Sequence, residues 1–466
     1  MSVDLIHTAL QRHASTHPEA LAVSDRGVDT TYSELWRLVS DAAAGFRKDI
    51  APGTRVAYLA HRDLNTVVVH HGLAVARLVG VPLNPQAPEA ERDKMCEGVV
   101  DVMIGDSSPA RVHRDDATST ANAGGGTPPL DGGSVHSVVF TSGSSGSPTG
   151  VLLSHGNAAA AAGAAAEHLS LSSADRWLGS LPLFHVGGLS VLWRMVHIGG
   201  AVVFDSDSFD VASTVSHINA GSITWLSVVP TMLQRVLVHG LDVRHSVSVL
   251  IGGGPVAPAL IAEARAAGLA VFPTYGMTET TSQAVTAIGG SVTGDGIVRG
   301  RALPGVTVEV VGSDGDIRSE GTGRLVISGA TVAIGTVDGQ RFNGRYVTND
   351  VGRIDPAGAV EVLGRADDVV ITGGENVYPQ EVENALRSCG ATGAVVWGID
   401  DEHWGQALVG VVTLRDDETL DAVLSKLRET VSAHRVPKRL REVVAFPMLA
   451  NEKIDRRTVR ESHIFE

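Results

Sequence analysis

Cysteine is scarce in this sequence: its 466 residues include only Cys96 and Cys389. These two lie far apart and lack the spacing of metal ligands, which argues against a disulfide scaffold and against a structural zinc site. No basic segment followed by an apolar run opens the sequence, and the alanine-rich stretch 158–166 is too short to span a bilayer. We therefore expect a cytoplasmic protein without stable membrane insertion.

Basic residues are also in short supply, with 37 of them against 52 acidic residues and a net charge of −15. No basic stripe offsets this balance, so nucleic acid is not an expected partner. Five of the basic residues are lysines, which makes any lysine within a motif conspicuous. A hydrophobic fraction of 43% excludes a disordered chain, and the length predicts about three structural units.

Strand and helix patterns alternate over the first part of the chain. Buried strands are predicted at 56–59, 137–141, 201–204 and 247–251, with helical periodicity between them, and Thr31 is a predicted helix cap. Alternation of this kind predicts an α/β fold with parallel sheets whose faces are covered.

The composition or the predicted secondary structure changes at three places in the sequence. Residues 107–133 are rich in Ser, Asp, Thr, Gly and Pro, which predicts a surface linker. From Val306 onward, short strands separated by turns predict a β-rich unit. After Gly364, the last hundred or so residues predict a small α+β unit.

A Gly/Ser-rich segment, Thr-Ser-Gly-Ser-Ser-Gly-Ser-Pro-Thr-Gly at 141–150, directly follows a predicted strand. Its glycines allow close backbone approach, and its hydroxyl and N–H groups can donate to phosphate oxygens. It is not a Walker loop, because no Gly-Lys-Ser/Thr follows. A flexible surface linker is the alternative interpretation of this segment taken alone.

A second segment, Tyr-Gly-Met-Thr-Glu-Thr at 275–280, follows a predicted strand at 271–273, where a parallel sheet presents its loops to a ligand. Tyr275 can stack on a purine, and Glu279 can hold a magnesium ion that bridges phosphates. The alternative is a solvated helix start capped by Thr278.

Together with Asp350, the segment 364–379 and Lys453, these motifs resemble in order and separation the adenylate-forming superfamily of acyl-CoA synthetases, adenylation domains and luciferases. The resemblance covers essentially the whole chain and makes the linker interpretation remote. It implies a large N-terminal domain, residues 1–364, of two α/β subdomains plus a β-barrel. It also implies a small mobile α+β C-terminal domain, residues 365–466.

The resemblance implies a two-step reaction in which ATP and a carboxylic acid form an acyl-adenylate and coenzyme A then takes the acyl group. Lys453 is the implied catalytic cation, Glu279 the implied Mg²⁺ ligand and Asp367 the implied hinge. Taken alone, Lys453 is equally a solvated lysine, and Gly373-Gly374 an ordinary tight turn. The implied nucleotide- and CoA-binding residues are Thr141, Ser142, Gly143, Ser144, Ser145, Gly146, Thr149, Gly253, Gly254, Pro255, Tyr275, Gly276, Thr278, Asp350, Arg365, Gly373 and Gly374.

Within the superfamily, the segments 175–190, 228–233 and 268–283 most resemble the o-succinylbenzoate–CoA ligases of menaquinone biosynthesis. The resemblance implies that an aromatic keto-acid is bound by His185, Gly188, Ser190, Ser282 and Gln283, and that His185 is also catalytic, together with Lys453 and Glu279. The alternatives are a satisfied core histidine for His185 and a helix cap for Ser190.

Two departures from the family pattern bear on activity. Thr149 stands where the phosphate loop usually carries lysine, which removes one charge near the phosphates. The segment Thr348-Asn-Asp350 stands where Thr-Gly-Asp is usual, and Asn tolerates the positive φ that glycine would supply.

Other functions stay open at this point. They are a ligase for another aryl or medium-chain fatty acid, an enzyme that loads a carrier-protein thiol, and, in a different class, a non-catalytic nucleotide- or acyl-binding homologue. Homodimers are common in the superfamily, so a homodimer is one alternative for the assembly.

Overall fold

The computed structural model describes residues 4–105, 131–141, 148–288, 299–312, 314–415, 417–449, 453–463 and 465. Most of the predicted linker at 107–133 lies outside these ranges. The helices in the described part are α1 (Ile6–Thr16), α2 (Tyr32–Asp49), α3 (Leu64–Val75), α4 (Glu89–Cys96), α5 (His155–His168), α6 (Val186–Ile198), α7 (Val211–Ala220), α8 (Pro230–Val238), α9 (Pro258–Ala266), α10 (Pro379–Ser388), α11 (Leu420–Thr430) and α12 (Arg456–Ser462).

The strands come in four sheets. The first fourteen are β1 (Leu21–Asp25), β2 (Val28–Thr31), β3 (Arg55–Leu59), β4 (Val79–Leu83), β5 (Val102–Met103), β6 (Val135–Thr141), β7 (Thr149–Ser154), β8 (Arg176–Leu178), β9 (Ala201–Phe204), β10 (Trp225–Val228), β11 (Ser248–Ile251), β12 (Ala270–Met277), β13 (Ser282–Thr286) and β14 (Arg301–Ala302). The others are β15 (Val306–Val311), β16 (Ile317–Arg318), β17 (Gly321–Gly329), β18 (Gly335–Thr336), β19 (Arg345–Ile354), β20 (Val360–Arg365), β21 (Val370–Thr372), β22 (Glu375–Val377), β23 (Ala391–Asp401), β24 (Gly405–Leu414) and β25 (Arg439–Glu442).

The first two sheets form the α/β part of the molecule. The first sheet has the order β18-β7-β6-β4-β3-β5, and the second has the order β14-β13-β12-β11-β10-β8-β9-β1-β2. Their central strands pair in parallel, and antiparallel strands stand at both edges of the second sheet and at the β18 edge of the first, whose other edge strand, β5, is parallel to β3. The predicted α/β class with parallel sheets is therefore confirmed.

The largest hydrophobic cluster packs α1, α2, α3, α5 and α6 together with strands of both these sheets. A second cluster packs α7, α8 and α9 on β10, β11 and β12. The second sheet is thus covered on both faces, as its nearly continuous apolar strands require. Among the helices of the described ranges, none has both the length and the apolar character needed to cross a membrane.

Thr31 caps α2 as predicted. The Glu34 N–H donates to Thr31 Oγ1 at 3.3 Å, and the Thr31 N–H donates to Glu34 Oε2 at 2.8 Å. This reciprocal pair satisfies two N–H groups that a helix start leaves without partners.

The third sheet, β16-β15-β17-β19-β20, is antiparallel throughout and corresponds to the predicted β-rich unit. Asn349 lies inside β19 and is not among the described residues with positive φ. The expectation of a positive φ at Asn349 is therefore wrong. Instead β19 bulges here, because it advances from Val347 to Val351 while β17 covers only Val326 to Arg324, and the Asp350 N–H donates to Thr348 Oγ1 at 3.0 Å.

The fourth sheet, β22-β21-β24-β23 with β25 beside β24, belongs to residues 370–465, here called the C-terminal unit. Two hydrophobic clusters consist entirely of residues from this unit. It therefore has a core of its own, as the predicted α+β unit requires. The predicted domain boundary between residues 364 and 365 coincides with the last residue of β20 and stays a prediction.

Candidate active site

Polar residues gather at the carboxyl ends of β10, β11 and β12, which run parallel in the second sheet. Gly253, Gly254 and Pro255 follow β11 directly. Gly253 has φ of +75°, in the left-handed region that favours glycine. Ligands of parallel sheets bind at this edge, so the loop is placed as a nucleotide site requires.

β12 continues to Met277, beyond its predicted end, because β13 pairs with it in antiparallel fashion. Tyr275 and Gly276 therefore lie in a strand. A Cβ on Gly276 would overlap the carbonyl oxygen of Ser282, so the close approach of β12 and β13 requires glycine here. Thr278 begins a short 3₁₀ helix whose N-cap position is Met277, so the alternative in which Thr278 is the cap is wrong.

Asp350 is held at the same edge by two elements. The Tyr275 hydroxyl donates to Asp350 Oδ2 at 2.7 Å, and Asp350 pairs with Arg365 in the ladder between β19 and β20. Burial raises the pKa of Asp350, and burial with the nearby Asp350 carboxylate raises the pKa of Tyr275. The arrangement brings the aromatic ring of Tyr275 and the carboxylate of Asp350 together.

Arg365 makes a two-pronged ion pair with Asp367, with nitrogen–oxygen distances of 2.9 and 3.0 Å. This pairing raises the pKa of Arg365 and lowers that of Asp367. The predicted ribose contact and the predicted hinge are thus directly joined.

Glu279 lies in the 3₁₀ turn that follows β12. The Tyr346 hydroxyl donates to its Oε1 at 3.5 Å, and the Ala333 N–H donates to its backbone carbonyl oxygen at 2.9 Å. Burial is the main cause of the raised pKa of Glu279. Tyr346 was not predicted as a site residue, because nothing in the sequence shows that β19 passes this turn.

The phosphate-loop motif connects β6 to β7. Thr141 and Thr149 are paired across these antiparallel strands, and Thr141 Oγ1 donates to the Thr149 carbonyl oxygen at 3.3 Å. The other predicted phosphate-binding residues, Ser142, Gly143, Ser144, Ser145 and Gly146, lie outside the described residues.

Lys453 reaches this edge from the C-terminal unit. Its Nζ lies 3.4 Å from the point at which a Cβ of residue 253 would stand. Its strand-like segment pairs back on residues 447–449, with the Leu449 N–H donating to the Lys453 carbonyl oxygen at 2.8 Å. The side chain keeps solvent contact, yet protein surrounds the ammonium group on most sides and lowers its pKa.

The five predicted acid-binding residues come together from α6 and β13. Ser190 Oγ donates to Ser282 Oγ at 3.2 Å, although the two are 92 positions apart. Ser190 lies in the second turn of α6, so the helix-cap alternative is wrong. A Cβ on Gly188 would overlap the Pro182 carbonyl oxygen. Gln283, which follows Ser282, is buried.

His185 occupies the N-cap position of α6 without making a side-chain cap bond. Burial, and secondarily the positive charge of Lys453, lower the pKa of His185 to about 4. The imidazole is therefore neutral at pH 7 and lies within electrostatic range of the lysine. This favours a site residue over the alternative of a satisfied core histidine.

Arg194 is a site residue that motif reasoning missed. It is 2% exposed, its Nη2 donates to Gln283 Oε1 at 2.6 Å, and its guanidinium lies 4.5 Å from the centroid of the Trp177 ring. Its Nε and Nη1 have no hydrogen-bond partner among the described residues. The available signal was an arginine four positions after Ser190, hence on the same face of an apolar helix.

Gly373 and Gly374 form the turn between β21 and β22, with φ of +58° and +84°. The Gly373 N–H donates to the Trp404 carbonyl oxygen at 2.9 Å. The Trp404 side chain is 40% exposed, and Lys438 Nζ lies 4.4 Å from the centroid of its ring. Neither Trp404 nor Lys438 was predicted from the sequence as a site residue.

The fold and the polar edge described above define a nucleotide-binding α/β enzyme with a separate C-terminal unit. The family model described as AMP-binding enzyme matches residues 10–336, and the model described as AMP-binding enzyme C-terminal domain matches residues 381–453. The chain belongs to the AMP-binding enzyme family.

Curated relatives match along nearly the whole chain. The 2-succinylbenzoate–CoA ligase of Listeria monocytogenes is 30% identical over 97% of this chain and 99% of its own, and that of Geobacillus kaustophilus is 31% identical over 97% and 96%. Among solved structures, the o-succinylbenzoate CoA synthetase of Bacillus subtilis in complex with its acyl-adenylate intermediate has a TM-score of 0.84 and 27% identity, with 98% and 99% coverage. The same enzyme with ATP and magnesium has a TM-score of 0.82 and 26% identity, with 97% and 99% coverage.

Proposed function

We propose that this protein is an ATP-dependent ligase that converts 2-succinylbenzoate into 2-succinylbenzoyl-CoA through an acyl-adenylate. The observation that carries the proposal is the position of Lys453. This lysine comes from the C-terminal unit, yet its ammonium group lies at Gly253 and lowers the pKa of His185 beside the acid pocket. A protein that only bound nucleotides would have no use for a cation delivered to that point.

In the first step, a carboxylate oxygen of the acid attacks the α-phosphorus of ATP, a P–O bond forms, and pyrophosphate leaves with the electrons of the broken bond. Asp350 accepts hydrogen bonds from the ribose, and Tyr275 packs on the adenine. Lys453 offsets the negative charge shared by the acid and the α-phosphate. The carboxylate gains AMP as a leaving group in place of oxide.

Glu279 suits a magnesium ion, because that ion is commonly held by one or two carboxylates together with substrate phosphates. Its burial raises its pKa, so a neighbouring cation would stabilise the charged form. When bound, Mg²⁺ supplies positive charge to the phosphate oxygens.

Arg194 and Gln283 explain the choice of a diacid. 2-Succinylbenzoate keeps one carboxylate that does not react, and a buried guanidinium with two nitrogens, Nε and Nη1, lacking described partners is a suitable counter-charge. Gly188 is required by the close approach of the Pro182 carbonyl oxygen and adds no space for the ring, whereas the Ser190–Ser282 pair can hydrogen-bond the keto oxygen. An unsubstituted fatty acid would leave Arg194 uncompensated.

In the second step, the coenzyme A sulfur attacks the acyl carbonyl, a C–S bond forms, the bond to AMP breaks, and the thiol proton is lost to solvent. Residues 365–466 move about Asp367, so that Lys453 withdraws and Gly373 and Gly374 line the path of the pantetheine. This swing lets two different sets of groups act at one carbonyl. A cytoplasmic location and a homodimer remain predictions.

The test measures AMP and pyrophosphate release, with and without CoA, for 2-succinylbenzoate, benzoates and fatty acids of increasing length. We expect CoA-dependent turnover that is highest with 2-succinylbenzoate and falls at least 100-fold in Lys453→Ala, on the order of the loss of one transition-state charge. Lys426→Ala is the matched control, since Lys426 lies in the same unit and pairs with Glu418. Highest turnover with another acid would contradict the substrate, and ATP binding without turnover would contradict the ligase.

A further inference from the structure

Two contacts between residues outside the predicted site join the C-terminal unit to the rest of the chain. Gln234 on α8 donates from Nε2 to the Thr392 carbonyl oxygen on β23 at 2.9 Å. Glu263 on α9 pairs with Arg415, the residue after β24, at 3.5 Å. Helix α9 also lies beside α10 of the C-terminal unit. These contacts occur in the same arrangement that places Lys453 at Gly253.

Neither contact is part of the hydrophobic core of the C-terminal unit or of the rest of the chain. Glu263 and Arg415 have side chains 49% and 59% exposed, and the acceptor for Gln234 is a backbone carbonyl at the start of β23. A rotation of residues 365–466 about Asp367 would separate both pairs. The two contacts therefore depend on how the C-terminal unit is placed against the rest of the chain, and they do not belong to a hydrophobic core.

We propose that Gln234 and the Glu263–Arg415 pair, here called the latch, are positioning residues that hold the C-terminal unit with Lys453 at the reacting groups. The proposal rests on the proposed function, in which two half-reactions use two arrangements. The latch favours adenylation and has to open before thioester formation.

The modest strength of the latch suits this role. An enzyme that passes through both arrangements in every turnover needs them close in free energy, because a strong preference for one would slow the other. An exposed ion pair and a single amide–carbonyl bond supply a small bias and no more.

The first experiment measures the half-reactions separately in Glu263→Arg, Arg415→Glu and the double exchange. Adenylation is followed by ATP–pyrophosphate exchange, and thioester formation by the CoA-dependent consumption of synthetic acyl-adenylate. Each single reversal is expected to slow adenylation about threefold to tenfold, the range that an exposed pair turned repulsive allows. Thioester formation is expected to be unchanged or faster.

The double exchange restores opposite charges and is expected to return adenylation to within about twofold of the original rate. Arg244→Glu is the control, because it reverses a more exposed arginine, 75% against 59% for Arg415, that pairs with Asp242 rather than with a residue of the C-terminal unit. A parallel fall of both half-reactions, or no recovery in the double exchange, overturns the latch.

A distance measurement tests the latch without any acid substrate. Spin labels are placed at Val28→Cys and Val444→Cys, which are 67% and 104% exposed, in a Cys96→Ser background. Arg415→Glu and Gln234→Ala are expected to move the distance distribution away from the closed arrangement, and Arg244→Glu is expected to leave it unchanged. An unchanged distribution in Arg415→Glu overturns the latch even if the ligase proposal fails.

Discussion

At the scale of single residues, Arg194 has the most unusual environment among the predicted and newly found site residues. It is a fully buried cation whose described hydrogen-bond partner is an amide oxygen, and burial lowers its pKa to about 9. Burying a charge without a counter-charge is costly, so a buried arginine beside a substrate pocket indicates an anionic ligand.

Arg194→Met tests this assignment, because methionine keeps most of the volume and removes the charge. We expect the KM for 2-succinylbenzoate to rise about tenfold to a hundredfold, the cost of one charge-assisted hydrogen bond or more. The KM for ATP should stay within about twofold. Steady-state kinetics with each substrate varied in turn gives both values, and an equal rise in both would contradict a specific role.

Most residues of the candidate site stand in motifs that the sequence shows, but Arg194 does not. Tyr275, Glu279, Asp350 and Lys453 stand in motifs whose residue types suit nucleotide chemistry. Arg194 belongs to no motif, and only the crossing of α6 over β13 shows that its guanidinium meets Gln283.

At the scale of elements, the contact between β12 and β13 governs the site. Thr281 and Ser282 have φ of +53° and +89°, so the chain turns tightly between these strands. This turn aims Ser282 at Ser190 while Tyr275 points to Asp350.

Gly276→Ala should disrupt that contact, since the added Cβ overlaps the Ser282 carbonyl oxygen. We expect a loss of about 1–3 kcal/mol in the free energy of unfolding and a higher KM for the acid. Gly45→Ala is the control: it lies in α2 with open space around the added Cβ and should stabilise by about 0.5–1 kcal/mol. Chemical denaturation measures both, and an unaltered midpoint for Gly276→Ala would contradict the packing argument.

The segment that carries Lys453 is anchored by the helix after it. Arg456 at the start of α12 donates to both oxygens of Glu383, at 2.6 and 3.0 Å, and the Val396 N–H donates to the same carboxylate at 2.8 Å. Glu383 is fully buried. Lys453 is therefore tied to the core of the C-terminal unit through residues 454–456, since Arg456 pairs with the buried Glu383.

Glu383→Gln should destabilise the C-terminal unit by about 3–5 kcal/mol, because it leaves the Arg456 charge without its buried partner. Adenylation should fall with it. The exposed pair of Arg457 with Glu461 offers the control, and Glu461→Gln should change the free energy of unfolding by no more than about 0.5 kcal/mol. Denaturant titrations measure the unfolding free energy of both variants, and equal midpoints for Glu383→Gln and Glu461→Gln would refute the anchoring role.

At the scale of the whole molecule, buried histidines make the folded state less stable at acidic pH. His70, His71, His136 and His155 are each at most 2% exposed, and burial is the main cause of their lowered pKa values. A group whose folded-state pKa is below its unfolded value takes up protons first in the unfolded chain. Stability is therefore complete above about pH 6.5 and is lost as the pH falls.

His71→Phe tests this linkage, because burial lowers the pKa of His71 to about 4. Between pH 6.5 and 4, the dependence of the unfolding free energy on pH should be weaker in the variant by the uptake of about one proton. Over that interval this amounts to about 3 kcal/mol of unfolding free energy. The slope of unfolding free energy against pH is the measurement, whatever the effect on absolute stability. An unchanged slope in His71→Phe would refute the linkage.

The sequence by itself determined the α/β class, several strands of the parallel sheets and the residue types of the predicted nucleotide site. Periodicity, caps and short motifs are local properties, so neighbouring residues are enough to reveal them. Only the tertiary structure decided that Asn349 lies in a strand, that Arg194 meets Gln283, and that Gln234 bridges to Thr392. Each of these depends on which surfaces pack together, because burial and pairing between distant segments outweigh what any single segment prefers alone.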